Sequence, residues 1–158
     1  MNLILWKVAF VVALMLSAGC AAYTASLQSS FFSKFALREL VERNKSRDLN
    51  CSAGGGGGSV SRFGRKESHF QKGENLSCQI TEQFDEEEFL QALKQSIEMD
   101  LERSNARIIG IAKIDAQSFY CEYAFEDIRG RVEISGRMVP GNYYSLKADL
   151  DEKQSEAK

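Results

Sequence analysis

The sequence predicts an α+β fold, with one main helix packed on an antiparallel meander sheet of four to five strands. Three observations predict it. Residues 85–105 carry the start signal, the apolar repeat and the stop signal of a helix. Four strand-length segments joined by short turns follow between residues 107 and 150, and "LSCQIT", beginning at Leu76, alternates just before the helix. One helix laid across one face of a curled sheet buries the apolar side of both. Ahead of this unit the chain reads as a signal or anchor, an amphipathic helix and a Gly-rich linker.

The chain starts with "MNLILWKVAFVVALMLSAGC". Lys7 precedes an unbroken apolar run from Val8 to Leu16, and the small residues Ser17, Ala18 and Gly19 come next. A positive start, an apolar middle and a small-residue end make the layout of a secretory signal. The run is shorter than the roughly 20 residues a spanning helix needs. The stretch from Leu3 to Ala22 reaches that length with Lys7 inside it, and Lys7 can snorkel to the headgroups.

The residues "LSAGC" resemble the lipobox of bacterial lipoproteins, with Ser17 standing where that family prefers Leu. The resemblance covers the first 20 residues only. It implies a diacylglyceryl thioether on Cys20, cleavage after Gly19 and acylation of the new amino terminus. It further implies membrane attachment through that lipid and, with Ala21 rather than Asp after the cysteine, the outer membrane of a Gram-negative cell. The other readings are a plain signal cut near Ala18, Ala21 or Ala22, and an uncleaved anchor.

Next, "SSFFSKFALRELVERNKSRDLN" places Phe32, Phe35 or Ala36, and Leu40 three to four residues apart, with Phe31, Leu37 and Val41 widening the stripe. This predicts an amphipathic helix near residues 30–45 with a mostly basic polar side. It can lie on an anionic membrane, dock on the domain, or self-associate as a stalk. Then come five consecutive glycines, Gly54–Gly58. Glycine is costly in helices and strands, which predicts a flexible linker. Without a Lys-Ser or Lys-Thr ending it is no phosphate loop. The Arg62, Arg65 and Lys66 cluster reads as loop solvation, the other reading being a hold on an anionic surface.

In the helix, Asp85 is the expected N-cap and Glu88 its capping-box partner. Phe84 and Phe89 form the expected hydrophobic staple, and Asn105 the left-handed stop. Glu86, Glu87 and Glu88 suit the positive end of the helix dipole better than they suit a cation site. Phe89, Leu90, Leu93, Ile97 and Leu101 make its apolar face. The strand "RIIGIAKI" is apolar on both sides, so it is expected to be central or covered twice. "QSFYCEYAFE" points Phe119, Cys121, Tyr123 and Phe125 inward. "GRVEISGRMV" points Val132, Ile134 and Met138 inward. "PGN" turns into "YYSLKADL", which buries Tyr144, Leu146, Ala148 and Leu150. The element order is similar to cystatin-like folds, and the similarity stops at element order. The expected organisation is a signal over 1–19, a lipid-proximal segment over 20–48, a linker over 49–68, the α+β domain over 69–150 and a disordered tail over 151–158.

Composition narrows the function classes. At 44% hydrophobic and 27% charged residues the 158-residue chain is of ordinary globular type. A net charge of -2 carries none of the basic field expected of a nucleic-acid partner. His69 is the single histidine, and no CxxC or HxxxH pair accompanies it, so no metal or cofactor is expected. A Cys–His pair from His69 with Cys78 or Cys121 would need an exposed thiol, whereas both cysteines fall on core faces. In an oxidising compartment Cys78 and Cys121 share a facing direction and are the expected disulfide if their strands are neighbours, the alternative being that all thiols stay reduced. The outward residues Tyr120, Arg131, Arg137, Tyr143 and Lys147 are the candidate protein-partner or self-association surface, since aromatics beside Arg are common at interfaces. No catalytic residue stands out. The reading is a lipid-anchored envelope protein with a small binding or assembly domain. A small exported enzyme, or an assembly subunit with an uncleaved helix, is the alternative.

Overall fold

Period-two alternation runs through most of the second half of the chain, and it builds one large sheet. The computed structural model describes residues 31–44, 47–52, 54–63 and 67–155. Cys20 and the whole of the expected amino-terminal signal lie outside the described residues. The described elements are α1 (Phe31–Lys34), α2 (Leu37–Asn44), β1 (Leu49–Cys51), β2 (Gly56–Phe63), β3 (Glu67–Ile80), α3 (Glu86–Arg103), β4 (Arg107–Asp115), β5 (Ser118–Phe125), β6 (Ile128–Val139) and β7 (Tyr143–Ser155). The fold is α+β, with an antiparallel sheet of seven strands rather than four to five. The order is β1-β3-β7-β6-β5-β4, and β2 continues the β1 edge by pairing with the other end of β3.

The helix α3 forms for the local reasons its sequence gives. Asp85 accepts a hydrogen bond from the Glu88 backbone N–H at 3.0 Å, satisfying one of the orphan donors of the first turn. The Phe84 and Phe89 rings meet with centroids 5.5 Å apart. Asn105 turns the chain out of the helix at φ 57°. Leu93, Ile97 and Leu101 are fully buried. This helix packs mainly on β4 and β5, about half of the inner sheet face, and its Phe89 ring also meets Tyr144 of β7.

The other half, over β3 and β7, is covered by α1 and α2. The expected amphipathic helix is thus two helices broken at Phe35–Ala36, and its apolar residues Phe31, Phe35, Leu37, Leu40 and Val41 belong to the core. A charged pair sits at the break. Lys72 donates to the Phe35 carbonyl at 2.5 Å, and Glu74 accepts from the Leu37 N–H at 2.7 Å. Lys72 and Glu74 are themselves 2.6 Å apart. The cation meets the carbonyl end of α1 and the carboxylate meets the amide end of α2, as helix-end polarity favours. Asn44 and Arg43 then tie α2 to α3 through Ser96 and Asp100.

Four expectations are corrected. The stretch over 49–68 expected as a linker contains β1 and β2. Gly54 is needed for close approach, since a Cβ there would lie 1.6 Å from the Asn75 carbonyl oxygen, and Gly55 exchanges hydrogen bonds with Asn75. The stretch over 151–158 expected as a disordered tail continues β7 to Ser155, between β3 and β6. The strand expected to be central or covered twice, β4, is a largely exposed sheet edge. Ile109 is 51% exposed there, at one of two register shifts that interrupt the β4–β5 pairing. Met138, expected inward, is 54% exposed near the β6–β7 turn.

Candidate functional site: the uncovered face of the sheet

Both helical layers lie on one side, so the opposite face of the sheet is open. Register fixes what it presents, because alternate residues of each strand share a face. Tyr120, Glu133, Asp149 and Gly73 form one row across β5, β6, β7 and β3. Glu122, Arg131, Asp151 and Gln71 form the next, and Ser118, Ser135, Lys147 and Asn75 the row on the other side.

Of the expected partner surface, the fold brings Tyr120 and Arg131 into contact. The Arg131 guanidinium carbon lies 4.0 Å from the centre of the Tyr120 ring. Its nitrogens reach Glu133 at 3.0 Å and Glu122 at 3.6 Å. Stacking holds the planar group flat while the flanking carboxylates neutralise it. Lys147 is paired with Asp149 at 2.6 Å. Tyr143 stands apart at the β6–β7 turn, 44% exposed.

Two hollows mark this face. One, of about 570 Å³, is floored by Gly57 and Gly73 and walled by Arg131, Glu133, Asp149 and Asp151. A Cβ on Gly57 would touch nothing within 4 Å, so that floor is open. Burial alone would raise the Asp151 carboxyl, but hydrogen bonds from Gln71 and His69 outweigh it and hold it below the usual range. The other hollow, of about 490 Å³, is lined by Asn75, Ser135, Arg137, Ser145 and Lys147, with Asp115 at its side. Ser118 and the Gln117 N–H bond to Asp115 and hold its carboxyl below the usual range. The whole face is polar, of mixed charge and rich in hydroxyls. It suits a hydrophilic partner better than an apolar one.

The expected Cys78–Cys121 disulfide is corrected. Cys78 is bonded to Cys51, its direct cross-strand neighbour on β1. Cys121 is three strands and about six residues away, roughly 14 Å across and 20 Å along the sheet. A disulfide tolerates only about 7 Å between Cα atoms. Cys121 is free and buried, and desolvation pushes its thiol up to about 12. Cys78 being oxidised and Cys121 facing the core, neither forms the Cys–His pair considered with His69, which bonds Asp151 at 2.7 Å on the open face. Among the described residues no group of three or more His, Cys, Asp and Glu can hold a metal ion. Among them, too, no helix is long and apolar enough to cross a membrane.

Sequence reading missed a buried carboxylate. Glu152 on β7 is fully buried and accepts a hydrogen bond from the Tyr123 hydroxyl at 2.5 Å. The signal was available, since the inward series Tyr144, Leu146, Ala148, Leu150 reaches Glu152 at its next step. Gly130 makes room for the Tyr123 ring, and Gly136 does the same for Tyr144. Burial first, then the adjacent Glu152, pushes the Tyr123 phenol far above its ordinary pKa. Burial and then Glu86 do the same for Tyr144, whose hydroxyl and the Glu86 Oε1 are buried without a well-aligned hydrogen bond. These groups sit under the helices and support the core.

No protein-family model matches the chain and no curated protein matches it in sequence, so its surface is read from its own chemistry.

Proposed function

We propose that this is a lipid-anchored cell-envelope protein, held by acylated Cys20, whose α+β domain is a non-catalytic binding or assembly module. The observation that carries the reading is the run "LSAGC" after an apolar stretch of signal length. The following Ala21 adds the outer membrane where the host is Gram-negative. Two or three acyl chains give a firm attachment where one gives a marginal one. The uncovered sheet face is the module's working surface in this reading, with Tyr120, Arg131, Arg137, Tyr143 and Lys147 contacting a hydrophilic protein partner or a second copy. The cystatin-like element order, a helix followed by a four-stranded meander, is the fold-level part of the same proposal.

Metabolic labelling with palmitate tests the anchor. The wild-type protein takes up label and stays with the membrane fraction. Cys20→Ser takes up none and is released. Equal labelling and retention of the two would reject the reading.

A further inference from the structure

The covered side of the fold holds a second surface. The apolar stripe of α1 and α2 is spent on the domain core, which leaves their polar side outward. Lys34 and Arg38 are exposed there, and Arg47 is exposed just beyond α2. Across residues 31–47, Lys34, Arg38, Arg43, Lys45 and Arg47 stand against Glu39 and Glu42, a net charge of +3. Residues 48–158 hold fourteen basic and twenty acidic side chains, a net charge of -6. The chain is therefore polarised, with its positive end next to the amino terminus.

Chain length fixes where that end must be. Ten residues separate Cys20 from Phe31. Fully extended, the eleven steps span at most about 36–40 Å. A domain tethered at Cys20, or by an uncleaved helix ending near it, keeps α1 within that reach of the bilayer.

We propose that the outer side of α1 and α2 is the membrane-facing surface of the domain, recognising the phosphate of anionic lipid headgroups through Lys34, Arg38 and Arg47. The proposal rests on the anchored reading and adds an orientation to it. Three net charges attract an anionic surface only within about a Debye length. The tether makes the encounter intramolecular, so weak attraction is enough to choose which side faces down. The net-negative remainder is repelled by the same surface. The open sheet face is then left toward the aqueous side.

The test is amine footprinting of the full chain bound to vesicles. Protein is reconstituted into phosphatidylcholine vesicles and into vesicles with phosphatidylglycerol added, then labelled with an acylating reagent and read by mass spectrometry. Lys34 labelling should fall at least about threefold with phosphatidylglycerol, and recover in high salt as screening predicts. Lys147, on the open face, should label equally in both, and Arg38→Glu should restore Lys34 labelling. Equal Lys34 labelling in the two vesicle types, or equal protection of Lys147, would overturn the proposal. Recovery of the protein outside the vesicle fraction would defeat the anchored reading itself, and this orientation with it.

Discussion

At the scale of single residues, glycines separate an edge strand from a tether. Gly54 has the Asn75 carbonyl where its Cβ would be, while Gly57 has open space. Gly54→Ala should cost about 2–3 kcal/mol, whereas Gly57→Ala should stay within about 0.5 kcal/mol, as surface changes do. Urea unfolding of the two variants checks this, and equal, negligible effects would restore the linker reading. Tyr123→Phe removes the hydroxyl that Glu152 accepts from, and should cost about 1–3 kcal/mol. Thermal unfolding of that variant against wild type reads the loss. The glycine run was illegible because composition reports backbone freedom in the unfolded chain, and not the contact that offsets it. Glu152 was legible by alternation, but the polar composition of its neighbours argued the other way.

At the scale of elements, short-range signals read correctly and long-range pairing did not. The α3 cap, staple and stop involve residues within a few positions of each other, so they were visible in the sequence. The Lys72–Glu74 pair that holds the α1–α2 break acts across more than 30 positions, and nothing local announces it. Glu74→Ala should destabilise by about 1–2 kcal/mol, by removing a helix-end acceptor and the carboxylate beside Lys72. Hydrogen exchange should quicken in 37–44 well before it does in β6. The disulfide was misassigned for the same reason. Facing direction was read correctly for Cys78 and Cys121, yet bridging depends on which strands are neighbours. Peptide mapping without reduction should recover Cys51 joined to Cys78, with Cys121 alkylated only after unfolding. Removing the bond by Cys51→Ser should cost about 3 kcal/mol through the freed loop of the unfolded chain.

At the scale of the whole molecule, one sheet has a covered face and an open one. Its inner face is closed by two helical layers, and only the α3 layer was read as packing there without an alternative. Its outer face carries the stacked Tyr120–Arg131 pair and the polar hollows, where the candidate surface was read correctly as outward but not as divided. The proposed amino-terminal signal lies beyond the described residues, and the proposed anchor rests on sequence chemistry. Intact mass spectrometry of the mature protein from the membrane fraction tests it most directly. The account predicts a first residue of Cys20 carrying a thioether-linked diacylglyceryl group and an acylated amino terminus. A chain that begins at Met1, or one whose Cys20 carries an unmodified thiol, would contradict it.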